Sequence, residues 1–128
     1  MSFLTSLFYI FEVAFGVGLI IFVHELGHFL MARRMGVRVE VFSLGFGPRL
    51  FGFRRGPTDY RVSYVPFGGY VKMAGESPEM GVTGAPDEFT SKSVGARTLI
   101  AAAGVMMNLF TGLLIFCLAF AVGVKFML

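Results

Sequence analysis

The sequence contains little charge, one cysteine and no tryptophan. Only 15% of its residues are charged and 55% are hydrophobic, whereas a soluble domain has about 25% charged residues. This shortage of charge argues against a soluble domain and indicates a membrane protein. The single cysteine, Cys117, excludes a disulfide framework within the chain. A length of 128 residues allows one compact unit.

Two long apolar stretches, residues 3–32 and 99–124, predict two transmembrane helices. Each exceeds the roughly 20 apolar residues that span a bilayer. No basic residue precedes the first stretch, and its apolar run is too long for a cleaved signal peptide. We therefore expect a first transmembrane helix within residues 1–34 and a second within 98–128.

The basic residues are concentrated between the two apolar stretches. Of the 11 lysines and arginines, only Lys125 lies outside residues 33–97. The positive-inside rule then places residues 33–97 in the cytoplasm and both termini outside. Because these charges are spread over strands and turns, we expect no nucleic-acid partner; the expected surroundings are the lipid bilayer.

The segment between the helices changes to an alternating pattern typical of β-strands. Short strands are predicted at residues 37–41, 50–53, 60–64 and 70–73, with turns at 45–48 and 55–57 and an interruption at 66–69. Residues 35–74 thus form a small, membrane-associated antiparallel β region. Residues 75–97 are expected to be a loop, mobile over 75–88, and a short helix capped by Ser91. The fold class is membrane α-helical.

One motif carries chemistry: His24, Glu25 and His28 form an H-E-x-x-H sequence near the end of the first apolar stretch. Residues four apart lie on the same helix face, so both imidazoles can bind one zinc ion at about 2.0–2.1 Å. Glu25 can then act as general base on a zinc-bound water, which is the chemistry of peptide hydrolysis. The alternative is two histidines that only form structural hydrogen bonds and a glutamate whose side chain extends to the membrane surface. We disfavour it because charged groups within a transmembrane segment are costly and usually mark function.

This motif and several later stretches resemble the site-2 proteases, and among them the bacterial regulator-of-sigma-E protease group. The matching stretches are residues 42–48, 64–73 with Gly75 and Glu76, 89–97, and Ala103, Gly104 and Asn108. The resemblance implies an intramembrane zinc endopeptidase of the bacterial inner membrane that cleaves transmembrane proteins such as anti-sigma factors. His24 and His28 are then the zinc ligands and Glu25 the catalytic base.

The resemblance also implies that the re-entrant strands at residues 64–73 hold an unwound substrate by edge pairing. We accordingly predict substrate contacts by a second set of residues: Gly68, Gly69, Tyr70, Val71 and Asn108. For Gly68 and Gly69 a plain turn is the alternative. Asn108 shares a helix face with Gly104 and Gly112, where it either forms an interhelical hydrogen bond or lines the site.

The chain also departs from the family pattern. Val105 replaces a proline of the second span, and neither the PDZ domains nor the later span with the third zinc ligand is present. Glu12 lies about 20 Å along the helix from Glu25, too far to substitute as a ligand. We therefore expect a fragment that alone binds zinc weakly and does not hydrolyse peptides. The alternative is a non-catalytic two-span module, a pseudoprotease that binds transmembrane partners; a transporter is disfavoured because paired half-helices are lacking.

Overall fold

The computed structural model describes residues 2–77 and 81–123. Helix α1 (Phe3–Arg34) is followed by strands β1 (Val39–Arg55) and β2 (Thr58–Met73), which form one antiparallel sheet. A 3₁₀ turn (Phe89–Ser91) then leads into helix α2 (Val94–Val122). Two long apolar helices therefore flank a two-stranded antiparallel sheet, as the sequence predicted.

Both helices are long and apolar enough to cross a membrane, and most of their side chains are exposed. Helix α1 begins after Ser2, whose side chain caps the backbone N–H of Thr5. Helix α2 begins after Ser93, which caps the N–H of Ala96. The expected cap at Ser91 is wrong, because Ser91 lies in the 3₁₀ turn. Helix α2 starts at Val94, four residues before the predicted position of 98. The last part of that prediction, residues 124–128, lies outside the described residues.

The strands β1 and β2 each pair as two shorter segments, and these four segments correspond to the four predicted strands. The turn predicted at residues 55–57 is confirmed, since Arg55 pairs with Thr58 across it. The turn predicted at 45–48 is confirmed as a reversal within β1, because residues 41–44 run parallel to 59–62 whereas residues 51–54 run antiparallel to them. Gly45 and Gly47 have φ values of +90° and +88°, where glycine is favoured. These glycines thus lie where β1 changes direction.

Strand β2 likewise changes direction at the predicted interruption at residues 66–69, since residues 59–62 run parallel to 41–44 and residues 69–72 run antiparallel to them. Residues 41–44 of β1 have partners in two segments of β2, 69–72 and 59–62. In the sheet, residues 41–44 therefore lie between residues 59–62 on one side and residues 69–72 on the other. The sheet contacts α1 closely: a Cβ on Gly18 would lie 2.8 Å from the backbone nitrogen of Gly68.

The core lies at the end of α1 that carries the motif. It joins the two helices and the sheet through a cluster of buried side chains: Phe29, Ala32, Val37, Val39, Met73 and Ile100. Because burial of each large apolar side chain contributes about 1.5–3 kcal/mol, this cluster stabilises the contact among α1, the sheet and the start of α2. His28 lies next to Phe29, so the motif is adjacent to the best-packed part of the molecule.

Glu88 anchors the segment between the sheet and α2. Its side chain is only 1% exposed and accepts hydrogen bonds from the Thr83 hydroxyl, the Thr83 N–H (2.9 Å) and the Ala85 N–H (3.1 Å). The hydroxyl hydrogen bond of Thr83, with the two backbone donors and the charge of Arg38, outweighs desolvation and lowers the pKa of Glu88. The described residues of the expected mobile loop are therefore tied to this buried carboxylate.

Glu88→Gln should lower the melting temperature at neutral pH, because it removes a carboxylate that receives three hydrogen bonds. Since the folded state lowers this pKa, the carboxylate stabilises the protein above the unfolded pKa, and the stabilisation is lost as pH falls through the folded value. Thermal unfolding in detergent should show a difference between wild type and variant that shrinks as pH falls toward 3. Glu76→Gln, at an exposed position, is the control; an equal effect of both variants would contradict this assignment.

Candidate metal centre

The two histidines of the motif point at a common position. Their Nε2 atoms lie 2.9 Å apart, and their rings meet edge to face with centroids 4.5 Å apart. This follows from their spacing of four on a continuous helix, which stacks the side chains one turn apart. Both rings are partly buried. The structure therefore brings the two predicted ligand atoms together.

These side chains fit a shared metal ion. Nitrogens 2.9 Å apart can both lie at the usual zinc–nitrogen distance of about 2.0–2.1 Å. Within residues 2–77 and 81–123, the one group of three side chains that could hold a metal is His24, Glu25 and His28, with potential ligand atoms within 4.8 Å of one another. A catalytic zinc site uses three protein ligands and an open position. Because Glu25 belongs to this group, its carboxylate lies close to the position that both histidines share.

Helix α2 forms the opposite wall of the centre. Nδ1 of His28 lies 2.7 Å from the carbonyl oxygen of Ile100, which can only accept a hydrogen bond. Nδ1 of His28 therefore carries the proton, which leaves the lone pair of Nε2 directed at the shared position. A backbone carbonyl in this role is a common outer partner of metal-binding histidines.

Two glycines allow the helices to approach this closely. A Cβ on Gly27 would lie 2.4 Å from the carbonyl oxygen of Ala103, so the helices touch through their backbones there. A Cβ on Gly104 would lie 2.6 Å from Nε2 of His28 and 2.7 Å from Nε2 of His24. Gly104 therefore leaves the space beside both ligand atoms free. Further along α1, a Cβ on Gly18 would meet the backbone of Gly68, whereas a Cβ on Gly16 would have no atom within 4 Å.

Asn108 extends the α2 wall by one more turn. Its amide nitrogen lies 3.3 Å from Nδ1 of His24. The sequence left open whether Asn108 forms an interhelical hydrogen bond or lines the site. The contact is a hydrogen bond between the two helices, and its partner is a histidine of the motif. Ile100, Gly104 and Asn108 are spaced by four residues, so one face of α2 contacts the whole histidine pair.

A cavity of about 340 Å³ opens beside Glu25 and His28. Tyr70 and Val71 of β2 line it, as do several residues that the sequence did not assign to the site: Met73, Glu76, Phe89, Ile100 and Ala101. Two of the predicted substrate-contact residues therefore lie at this cavity and next to the predicted base.

Gly68 and Gly69 lie elsewhere on β2, against α1. A Cβ on Gly68 would meet the Phe46 ring at 2.6 Å and Ile21 at 3.3 Å, and one on Gly69 would meet the carbonyl oxygen of Ser43 at 2.4 Å. Neither glycine lines the cavity beside Glu25. In this structure they are sites of close packing between sheet and helix.

Comparison with known proteins shows to which family the chain is related. Peptidase family M50 matches residues 12–127 of the chain. A candidate zinc metalloprotease of Chlamydia pneumoniae is 38% identical over 127 residues, 92% of this chain and 20% of that protein. The regulator of sigma-E protease RseP of Escherichia coli (strain K12) is 46% identical over 112 residues, 84% of this chain and 24% of that protein. A candidate zinc metalloprotease of Helicobacter pylori (strain J99) is 45% identical over 105 residues, 78% of this chain and 30% of that protein. The chain thus spans between a fifth and a third of the length of these relatives.

Proposed function

Because the chain belongs to peptidase family M50, the site-2 protease family, we propose that it carries the zinc-binding helix of an intramembrane zinc endopeptidase. The observation that carries the proposal is the convergence of the Nε2 atoms of His24 and His28, 2.9 Å apart, with the Glu25 carboxylate beside them. Names of relatives that specify a zinc metalloprotease support zinc as the metal.

Each residue of the motif has a separate task in this proposal. His24 and His28 would hold the ion, and a catalytic zinc site of this kind uses a third protein ligand besides. When bound, zinc polarises the peptide carbonyl and acidifies a water molecule. Glu25 would serve as the general base and then the general acid, accepting a proton and returning it to the leaving amine.

The proposed substrate is a transmembrane segment of another membrane protein, of which an anti-sigma factor is one candidate. Support comes from the position of the site on an apolar helix that is long enough to span a bilayer. The cavity between Glu25, Tyr70 and Val71 is where an unwound segment would lie along β2. Gly68 and Gly69 would act by allowing β2 to pack on α1, and Asn108 through the histidine pair.

The proposed location is the bacterial inner membrane, with residues 33–97 in the cytoplasm and both termini outside. Ten of the 11 basic residues lie in that segment, which supports this orientation. Labelling of single cysteines introduced at Arg55 and Ser2, in a variant in which Cys117 is serine, tests it. In intact cells an impermeant thiol reagent should modify position 2 and spare position 55; the reverse pattern would contradict the orientation.

Zinc binding tests the metal site directly. The native protein, purified in mild detergent, should hold about one zinc per chain. His24→Ala and His28→Ala should each weaken zinc by more than the roughly 10- to 100-fold that loss of an outer partner costs. Glu12→Gln, an acid-to-amide change on the same helix, should leave zinc affinity unchanged. Equal zinc content in wild type and both histidine variants would refute the site, whereas zinc binding without cleavage would favour a non-catalytic, pseudoprotease-like module.

A further inference from the structure

The two histidines contact α2 through chemically different groups. Nδ1 of His28 meets a backbone carbonyl at 2.7 Å, and a carbonyl accepts only. Nδ1 of His24 meets the side-chain amide of Asn108 at 3.3 Å, and an amide has a donor end and an acceptor end. The backbone therefore fixes the tautomer of His28, while the side chain at position 108 decides that of His24.

A neutral imidazole can ligate a metal through Nε2 only if Nδ1 carries the proton. For His28 this condition is met by the carbonyl of Ile100. For His24 the partner at Nδ1 must then accept a hydrogen bond, which the amide oxygen of Asn108 does after a half-turn of the amide group. The amide nitrogen in the same place donates, and it selects the tautomer of His24 whose Nε2–H points at His28.

We propose that Asn108 is a positioning residue of the metal centre, whose amide oxygen accepts Nδ1–H of His24 and so directs the Nε2 lone pair to the metal. The inference rests on the proposed zinc function and adds a role for a residue that the sequence linked to substrate. It also explains why an amide suits position 108. Rotation of one group therefore provides Nδ1 of His24 with a hydrogen-bond partner in either tautomer.

The row Ile100, Gly104 and Asn108 gives this proposal its geometric basis. Successive members are four residues apart on α2, and all three contact the rings of His24 and His28. Ile100 is 1% exposed, so the end of the row next to His28 is fixed by the core. Gly104 leaves space between the two hydrogen-bonding positions. Ile100 contacts His28 through its backbone carbonyl, whereas Asn108 contacts His24 through its side chain, so a substitution at position 108 removes that contact directly.

Zinc affinity of Asn108→Asp and Asn108→Leu, measured on the native protein in detergent by competition with a chromophoric chelator, tests the proposal. Aspartate retains an acceptor oxygen, so Asn108→Asp should bind zinc within about threefold of wild type. Leucine retains volume but has no acceptor, so Asn108→Leu should bind zinc about 10- to 100-fold more weakly. Thr111→Val, a polar-to-apolar change on the same helix, should have no effect.

The order of the two variants separates positioning from packing. If Asn108 serves only to pack the helices, leucine is tolerated and an aspartate within the span is costly, so Asn108→Leu would bind zinc as well as or better than Asn108→Asp. That order, or a large loss in Asn108→Asp alone, would overturn the proposal even if Asn108→Leu fails to fold. A wild-type protein without zinc would instead refute the proposed function, which distinguishes the two failures.

Discussion

Glu25→Gln should lower the rate of substrate cleavage by about 10²- to 10⁴-fold, the usual contribution of a positioned general acid–base. Glutamine keeps the shape of the side chain but cannot take a proton from water. Because the 2.9 Å contact between the Nε2 atoms of His24 and His28 does not involve Glu25, zinc should stay bound with nearly unchanged affinity. Cleavage of a single-span substrate in proteoliposomes, followed by mass spectrometry, measures the rate.

The comparison of Glu25→Gln with Glu76→Gln makes this result specific. Both carboxylates line the same cavity, but Glu76 is outside the group of side chains that could hold a metal among the described residues. Glu76→Gln should therefore retain most of the activity. Full activity in Glu25→Gln would remove the assigned base, and loss of zinc in that variant would mean that Glu25 is a ligand.

Gly104→Ala should weaken zinc binding at least about tenfold and slow cleavage by about 10²-fold, the effect of displacing reacting groups by about 1 Å. The added methyl carbon would lie 2.6 Å from Nε2 of His28 and 2.7 Å from Nε2 of His24. Such contacts are too short, so either α2 moves away or the imidazoles rotate. Zinc affinity and cleavage rate, both measured on the native protein, report this displacement.

Gly112→Ala is the matched control, because a Cβ at Gly112 has no atom within 4 Å. Both changes replace glycine by alanine on α2, so both raise helix propensity by roughly 1 kcal/mol. A difference between them therefore reflects the contact with the histidines. Wild-type zinc affinity in Gly104→Ala would show that α2 does not lie against the histidine pair as described.

The sequence predicted the helices and the convergence of the histidines well, for physical reasons. Length and apolar composition suffice to predict α1 and α2. Helical periodicity then places His24 and His28 one above the other whatever else the chain does. These are local consequences of the sequence, so they do not depend on how the remaining elements pack.

The segments of the sheet were predicted well, but their pairing was not. Gly45 and Gly47, at φ values near +90°, lie where β1 changes direction, as their turn-like sequence predicts. Residues 66–69 lie in the corresponding change of direction of β2. The position of residues 41–44 between 59–62 and 69–72 depends on pairing across the sheet, which local sequence patterns do not contain.

The contribution of α2 to the metal centre was the least predictable part. A backbone carbonyl, that of Ile100, carries no sequence signal, since every residue has one. Gly104 was recognised only as a neighbour of Asn108, and its contact with both imidazoles depends on the tertiary packing of two helices. The four-residue spacing of Ile100, Gly104 and Asn108 would have been the available clue, once α2 was known to face the motif.

The most direct test of the central claim is the position and metal dependence of cleavage. The native protein, reconstituted in liposomes with a single-span membrane protein, should cut a peptide bond inside the substrate's transmembrane segment. Cleavage should stop on treatment with a zinc chelator and resume when zinc is restored. Cleavage outside the transmembrane segment, or cleavage that survives zinc removal, would contradict the account of an intramembrane zinc endopeptidase built on His24, Glu25 and His28.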